Sequence, residues 1–418
     1  MTPYLDLNPE LTPTQEAIKQ ETHRFAAEVM RPASIALDKL ADPQDVIRED
    51  SVYWDVLRKF YELEYHAARI PAEVGGGGLK GLDVQLINEE FGWGSADFAI
   101  GFGATMMPFG IAILASMMSG DSAMMDEFVT PFIQDREAKF IGCWAVTEPQ
   151  HGSDSLAINL PQASDPLTAF DTRAQRDGDD WILSGAKAAW VSNGTVATHA
   201  MVHFSIDRSR GVQSSGIAIV PLDLPGISRG KPLNKLGQRA LNQGEIYFDS
   251  VRLPKQYVVI EQELYTLVSD SILSGANSTV AATITGLARA ALEEALNYTK
   301  QRVQGGKPLC EHQLVQRKLF DMYIKVEAAR QLSRAVAVYN SAVPPSLSRL
   351  SIAAKVFCTQ TAFEVANDAV QLFGGYGLSK DFLIEKLFRD ARASLIEDGA
   401  NDVLALVAAR QLIDQHLI

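Results

Sequence analysis

The spacing of apolar residues changes twice along this chain of 418 residues, and those two changes limit the folds open to it. Up to about residue 138 the apolar positions recur at helical spacing, as in 15–30, 53–65 and 82–93. From Phe140 the pattern becomes short runs of β character: 141–147, 181–183, 189–191, 200–206, 216–220 and 245–248. Turn pairs such as Asp177-Gly178 and Asn193-Gly194 separate them, which predicts a compact β domain. After Pro254 helical spacing returns near 262–303, 311–340, 347–373, 380–393 and 399–416, and a four-helix bundle is the natural packing. The expectation is an α+β multidomain chain: an all-α domain over 1–138, a central β domain over 139–255 and an α-helical bundle over 256–418.

Local signals fill in this frame. Thr12-Pro13-Thr14 offers a cap and an early proline, and Arg31-Pro32 is expected to close the first helix. Residues 96–119 are small and apolar and read as a buried helix pair. The run Gly75 to Gly78 reads as a tight turn, since no Gly-Lys-Ser/Thr follows it. Val343-Pro344-Pro345-Ser346 separates two bundle helices.

Composition excludes several classes. Hydrophobic content of 47% with 21% charged residues belongs to a chain that buries real cores. A net charge of −13 argues against nucleic acid, which wants clustered Lys and Arg. Cys143, Cys310 and Cys358 are scattered, with no CxxC and no metal-ligand spacing, so reduced cysteines, no metal and a cytoplasmic setting are expected. The N-terminus does not read as a signal peptide, and no apolar run reads as a membrane span.

Four motifs carry chemistry. Gln371-Leu372-Phe373-Gly374-Gly375 puts two glycines where backbone can approach a ligand. Arg389-Asp390-Ala391 follows, and then Glu397-Asp398-Gly399 sets two carboxylates beside the apolar pair Leu395-Ile396. Apolar surroundings disfavour the charged carboxylate and lift its pKa toward the range of a general base. The stretch Trp144-Ala145-Val146-Thr147-Glu148-Pro149-Gln150-His151-Gly152-Ser153-Asp154 is a strand end leading into a polar turn. Lys187-Ala188-Ala189-Trp190-Val191-Ser192-Asn193-Gly194, and Arg302 with Gly305-Gly306-Lys307 and Gln313, complete the set; an arginine fork suits paired phosphates.

Together these motifs resemble those of the acyl-CoA dehydrogenase family, and the α–β–α order extends the resemblance over nearly the whole chain. It implies FAD as cofactor, an acyl-CoA as substrate, and α,β-desaturation by proton abstraction with hydride transfer to flavin. The family's catalytic glutamate falls on Asp398, and its usual threonine on Ala400. Glu397 stands where an acyl-pocket residue, often tyrosine, is found, and is a second base or a specificity charge. The resemblance puts Trp144, Val146, Thr147, Gly152, Ser153, Trp190, Ser192, Arg302, Gln313, Gln371, Gly374, Gly375 and Asn401 on the cofactor. It puts Ser153, Asp97, Asn277 and Gly399 on the substrate path, although Asp97 reads better as a helix cap and only secondarily as a substrate contact. An alternative base position on the first bundle helix falls at Ala276, which carries no carboxylate. Arg302 would reach the cofactor of a neighbouring subunit, which implies at least a dimer and in the family a homotetramer, with electron-transfer flavoprotein as a partner. Nitroalkane oxidase, on the same fold, carries an aspartate at the position of Asp398, so a flavin oxidase stays open as an alternative. A non-catalytic flavoprotein is the other.

Overall fold

The computed structural model describes Leu7, residues 10–120 and residues 122–414. The N-terminal helices are α1 (Pro13–Phe25), α2 (Arg31–Asp38), α3 (Pro43–Val46), α4 (Val52–Glu62), α5 (Leu82–Gly94), α6 (Ala96–Ser119) and α7 (Thr130–Gln134). Thr12 caps α1 in a reciprocal capping box with Gln15, a device that stabilises a helix start by about 1 kcal/mol. Arg31-Pro32 does not close this first helix. A π-helical turn, Ala26–Met30, lies between α1 and α2, and the chain continues helically through Pro32 to Asp38. Such a turn re-registers the ladder just where proline lacks an N–H.

The run expected as a helix pair is one helix, α6, with Pro108 inside it. It is long and apolar enough to cross a membrane by length and composition, yet two thirds of its most apolar window is buried inside the protein. Its N-terminal half is core: Phe98, Phe102 and Phe109 are all buried.

The β domain carries β1 (Gly142–Ala145), β2 (Arg173–Asp177), β3 (Asp180–Lys187), β4 (His199–Ser205), β5 (Ser215–Pro221), β6 (Ile227–Arg229), β7 (Ile246–Leu253) and β8 (Val258–Ile260). Seven run in the order β6-β7-β3-β2-β4-β5-β8, and β1 pairs parallel with β4. Two expectations change here. Residues 189–191 form a turn with an isolated bridge at Ser192, and β8 extends the sheet past Pro254 by pairing with β5.

The bundle is α8 (Gln262–Gln301), α9 (Gln313–Ala342), α10 (Ser348–Phe373), α11 (Leu383–Ser394) and α12 (Asn401–Asp414), with a small hairpin, β9 (Val303–Gln304) and β10 (Lys307–Pro308), between α8 and α9. Buried ion pairs tie it to the N-terminal helices. Arg289 of α8 bonds Glu89 at 2.9 Å and also Glu90, while Arg330 and Arg334 of α9 reach Glu89 at 3.0 and 2.9 Å.

A second cluster joins all three domains. Arg389 of α11 forks onto Asp38 of α2 at 2.9 and 2.6 Å and donates to Leu236 O at 2.7 Å. Lys386 pairs with Asp390 and, at 3.1 Å, with Asp97 of α6. The N–H of Gln238 donates to Asp390, and that of Ala240 to Asp97. A side chain at Gly237 would have its Cβ 2.5 Å from Arg389 O, so only glycine lets the loop lie this close.

Candidate active site

The site is built where β1, the end of β3 and the turn before α12 converge. Past β1 the chain runs to the end of β3, where Ala188 N–H donates to Thr147 O at 2.9 Å. Lys187 and Glu148 fix this junction. Both side chains are fully buried and 2.7 Å apart, and Glu148 also accepts from the N–H groups of Asp171 and Thr172. Burial pushes the Glu148 pKa up, but the Lys187 charge and these bonds outweigh it and hold the carboxyl below its usual range. The junction sets Val146 and Thr147 near Trp190, whose indole is 57% exposed. Gln243 Nε2 donates to Trp190 O at 3.1 Å and to Ser192 Oγ at 3.3 Å. Asn193 crosses to α6 and β1, donating to Gly101 O at 2.9 Å and Gly142 O at 3.0 Å.

Trp144 is held by its own relay. Its indole N–H donates to His203 Nε2 at 2.9 Å, and His203 Nδ1 meets Tyr265 OH at 3.0 Å. Burial drops the His203 pKa to about 3, so the ring stays neutral and its Nε2 stays an acceptor.

The base candidate lies on the turn between α11 and α12. Asp398 has φ 51° and Gly399 φ 105°. Two left-handed residues in succession suit a short acidic side chain followed by glycine. The Asp398 carboxylate accepts no hydrogen bond from any described residue, and its N–H donates to none. The next N–H, of Ala400, donates to Ser153 Oγ at 2.8 Å and so ties the turn to the β domain. Glu397 accepts from Gln238 Nε2 at 2.9 Å. Burial lifts both carboxyls. Glu397 rises to about 7, against the Gln238 bond and aided by the Asp398 charge, while Lys355 opposes the rise of Asp398. Lys355, on α10, is wholly buried and donates to Gly399 O at 2.7 Å.

Arg302, Gln371, Gly374 and Gly375 share an exposed edge where α8 and α10 end. The Arg302 guanidinium lies 5.6 Å from the Tyr376 ring centre. A Cβ placed on Gly374, Gly375 or Gly152 would meet nothing within 4 Å. Open glycine backbone and an exposed arginine fork at this edge offer room and donors for phosphates, while the bare Trp190 indole of the β domain offers a face for a planar ring. Gln313, the first residue of α9, is exposed.

Three expected site residues are otherwise engaged. Asp97 is fully buried, and Ser34, Ser95, Lys386 and Ala240 N–H occupy its oxygens, so it anchors the domain cluster rather than facing a substrate. Asn277 is fully buried; its Nδ2 donates to Leu273 O within α8 and its Oδ1 has no partner. The Asn401 amide accepts from Lys355 at 2.8 Å and donates to Thr359 at 3.0 Å, so its side chain braces the turn. Glu148, His151 and Asp171 come within 4.8 Å of one another, but Glu148 is already saturated by Lys187 and backbone donors and offers no free charge to a cation.

Sequence reading missed Lys355 and Gln238. Lys355 left a trace: it interrupts the buried stripe Ile352, Thr359, Ala362 of α10 with a charge. Gln238 left none, because its contact with Glu397 spans 159 residues.

Comparison with known proteins follows the same outline. Models for the N-terminal, middle and C-terminal domains of acyl-CoA dehydrogenase match residues 12–134, 143–251 and 268–413. A short-chain specific mitochondrial acyl-CoA dehydrogenase of Rattus norvegicus is 30% identical over 410 residues, covering 97% of this chain and 92% of that protein. A probable acyl-CoA dehydrogenase of Mycobacterium leprae is 32% identical over 351 residues, covering 84% and 85%. The solved butyryl-CoA dehydrogenase of Megasphaera elsdenii superposes with a TM-score of 0.84 at 28% identity, covering 98% of this chain and all of that one.

Proposed function

The chain belongs to the acyl-CoA dehydrogenase family, and from that premise we propose that Asp398 removes the α-proton of an acyl-CoA thioester. The enzyme is an FAD-dependent oxidoreductase that introduces an α,β double bond into the acyl chain. FAD, when bound, supplies the acceptor for the β-hydrogen. Thr147, Trp190 and Ser192 would hold its ring system, and Arg302, Gln371, Gly374 and Gly375 the phosphate-bearing part of the FAD seated on a neighbouring subunit.

The observation that carries the reading is the state of the turn. Among the described residues, none donates a hydrogen bond to the Asp398 carboxylate and none accepts one from its N–H. The carboxylate suits the α-proton. The N–H suits the thioester oxygen, where negative charge develops as that proton leaves. Aspartate is shorter than glutamate by one carbon–carbon bond, about 1.5 Å. The acyl carbon must therefore seat closer to the turn, with Glu397 as a polar wall beside it.

The test is to load the purified protein with FAD and mix it anaerobically with straight, branched, cyclic and aromatic acyl-CoAs. Flavin bleaching by at least one is expected. A protein that takes up no FAD, or one that no acyl-CoA reduces, would remove the reading. Reduction of a dye or an electron-transfer flavoprotein without peroxide is expected under air.

Arg302 gives a separate prediction. Arg302→Leu should weaken FAD binding by roughly 10- to 100-fold, the worth of a charge-assisted phosphate contact, while thermal stability changes little. Calorimetric titration of the apoprotein measures this.

Assembly into a homotetramer, in which a second copy covers this edge, is supported by apolar side chains left in the open near it. Leu314, Phe320 and Leu378 are 86%, 59% and 80% exposed. Sedimentation should show no monomer at micromolar concentration; a monomer that keeps its FAD would count against it. Three unbridged cysteines support a reducing, cytoplasmic setting.

A further inference from the structure

We propose that Lys355 is a positioning residue for the base: it grips the turn that carries Asp398 and supplies the positive field under both carboxylates. The inference rests on the assignment of Asp398 above. Its ground is geometric. The Lys355 ammonium is wholly buried and makes two directed contacts, 2.7 Å to Gly399 O and 2.8 Å to Asn401 Oδ1. Asn401 is itself fixed by Thr359, one helical turn along α10 from Lys355. The carbonyl behind the base and the first residue of α12 are thus fastened to one rigid helix.

That fastening has a purpose at this turn. A non-glycine residue at φ 51° keeps that conformation only where its surroundings over-determine it. Here the grip falls on one peptide unit, the Gly399–Ala400 link just after the base: Lys355 holds its carbonyl and Ser153 accepts from its N–H. Beside this fixed peptide the Asp398 side chain takes no hydrogen bond from any described residue, so its aim is set by the backbone.

The charges around Lys355 are few. Glu397 and Asp398 on the turn both act on it, and burial nonetheless lowers its pKa to about 8. From the β domain Lys235 acts on Glu397, and Lys235 is in turn influenced by Asp97 and Asp390. The other cations packed nearby are engaged elsewhere. Arg330 and Arg334 of α9 face Glu89, and Lys386 and Arg389 of α11 face Asp97, Asp390, Asp38 and Glu385. α8 presents an uncharged neighbour, Ser274, bonded to Ser351 at 3.1 Å. Among the described residues, the Lys355 charge is the one that opposes the burial of the Asp398 carboxylate.

The experiment compares the full-length protein with Lys355→Gln, Lys355→Met and Lys355→Arg. For the two uncharged variants kcat should fall about 100-fold with little change in KM, the effect of a small misplacement of a reacting group. The acid limb of the kcat/KM profile should move to higher pH, since the field that favours ionised carboxylates is gone. Lys355→Arg should restore the limb and most of kcat. A fall in melting temperature with the limb unmoved would reduce Lys355 to a packing role and overturn the proposal, as would unchanged kcat.

A second readout needs no turnover. Difference infrared titration of the carboxyl groups, parent against Lys355→Gln, should show protonated carboxyl persisting to higher pH in the variant. Superimposable titrations would overturn the inference even if no acyl-CoA ever reduced the flavin. A parent that shows no acyl-CoA chemistry would instead undo the assignment of Asp398 and leave the carboxyl titration to stand by itself. Should Lys355→Met fail to fold, Lys355→Gln, which keeps a donor for the Gly399 carbonyl, carries both measurements.

Discussion

Asp398→Asn should leave a yellow, FAD-bound protein whose flavin is reduced by acyl-CoA on the order of 10⁴-fold more slowly than the parent. The amide keeps the size of the side chain and tolerates the same left-handed backbone, so the turn should hold its shape. What it loses is the capacity to accept a proton. Glu397→Gln should be far milder, because Glu397 is already bonded to Gln238. Stopped-flow absorbance separates the two, and near-parent reduction by Asp398→Asn would mean the base lies elsewhere.

The pH dependence follows from the same burial. Desolvation holds the Asp398 carboxyl above its ordinary range, so reduction should climb with pH to a point higher than a free aspartate would set. Stability runs the other way. Glu397 titrates at about 7 in the fold against about 4.5 when free, so the folded state binds the proton more tightly. Its contribution is full below 4.5 and is lost as pH rises to about 7. Glu397→Gln should flatten that stretch of the denaturation profile.

Lys187→Met should destabilise the protein by about 3–5 kcal/mol, the usual cost of leaving one buried charge without its partner. Glu148 would then sit among Thr172, Asp171 and Phe170 with backbone donors but no cation. The damage should spread to FAD retention, since the pair fixes Thr147 against Ala188 and so sets the spacing between the two motifs expected along the flavin. The double variant Glu148→Gln with Lys187→Met should recover much of the loss, because it removes the stranded charge along with its partner. Thermal melts with and without added FAD measure both effects. A single variant as stable as the parent would mean that the buried pair contributes nothing.

Much of the architecture could be read from the period of the apolar residues, because long helices and short strands leave different repeats. Where the reading slipped, one local signal had two outcomes. Pro32 closes a helix unless a π turn precedes it, and Pro108 divides one unless its neighbours take up the lost bond. The reactive turn was legible because Glu397-Asp398-Gly399 is contiguous. Its supports were not. Gln238 and Lys355 reach it from 159 and 44 residues away, and no local pattern records such meetings. Asp97 shows the converse: its position in the family suggests a substrate contact and its place at a helix start a cap, yet the fold uses it to bind Lys386, 289 residues on.

The clasp of Arg389 on Asp38 has a consequence in time. Its two ends are 351 residues apart, and Leu236, from the middle of the chain, joins them. During synthesis the amino-terminal helices and the sheet can form early and meet the first bundle helices through Glu89 and Glu90, but the clasp that joins all three domains must wait until nearly the last residues emerge. The reactive turn lies a few residues beyond that clasp, so it is among the last features of the molecule to come into being. A nascent or truncated chain therefore holds most of the architecture and none of the chemistry.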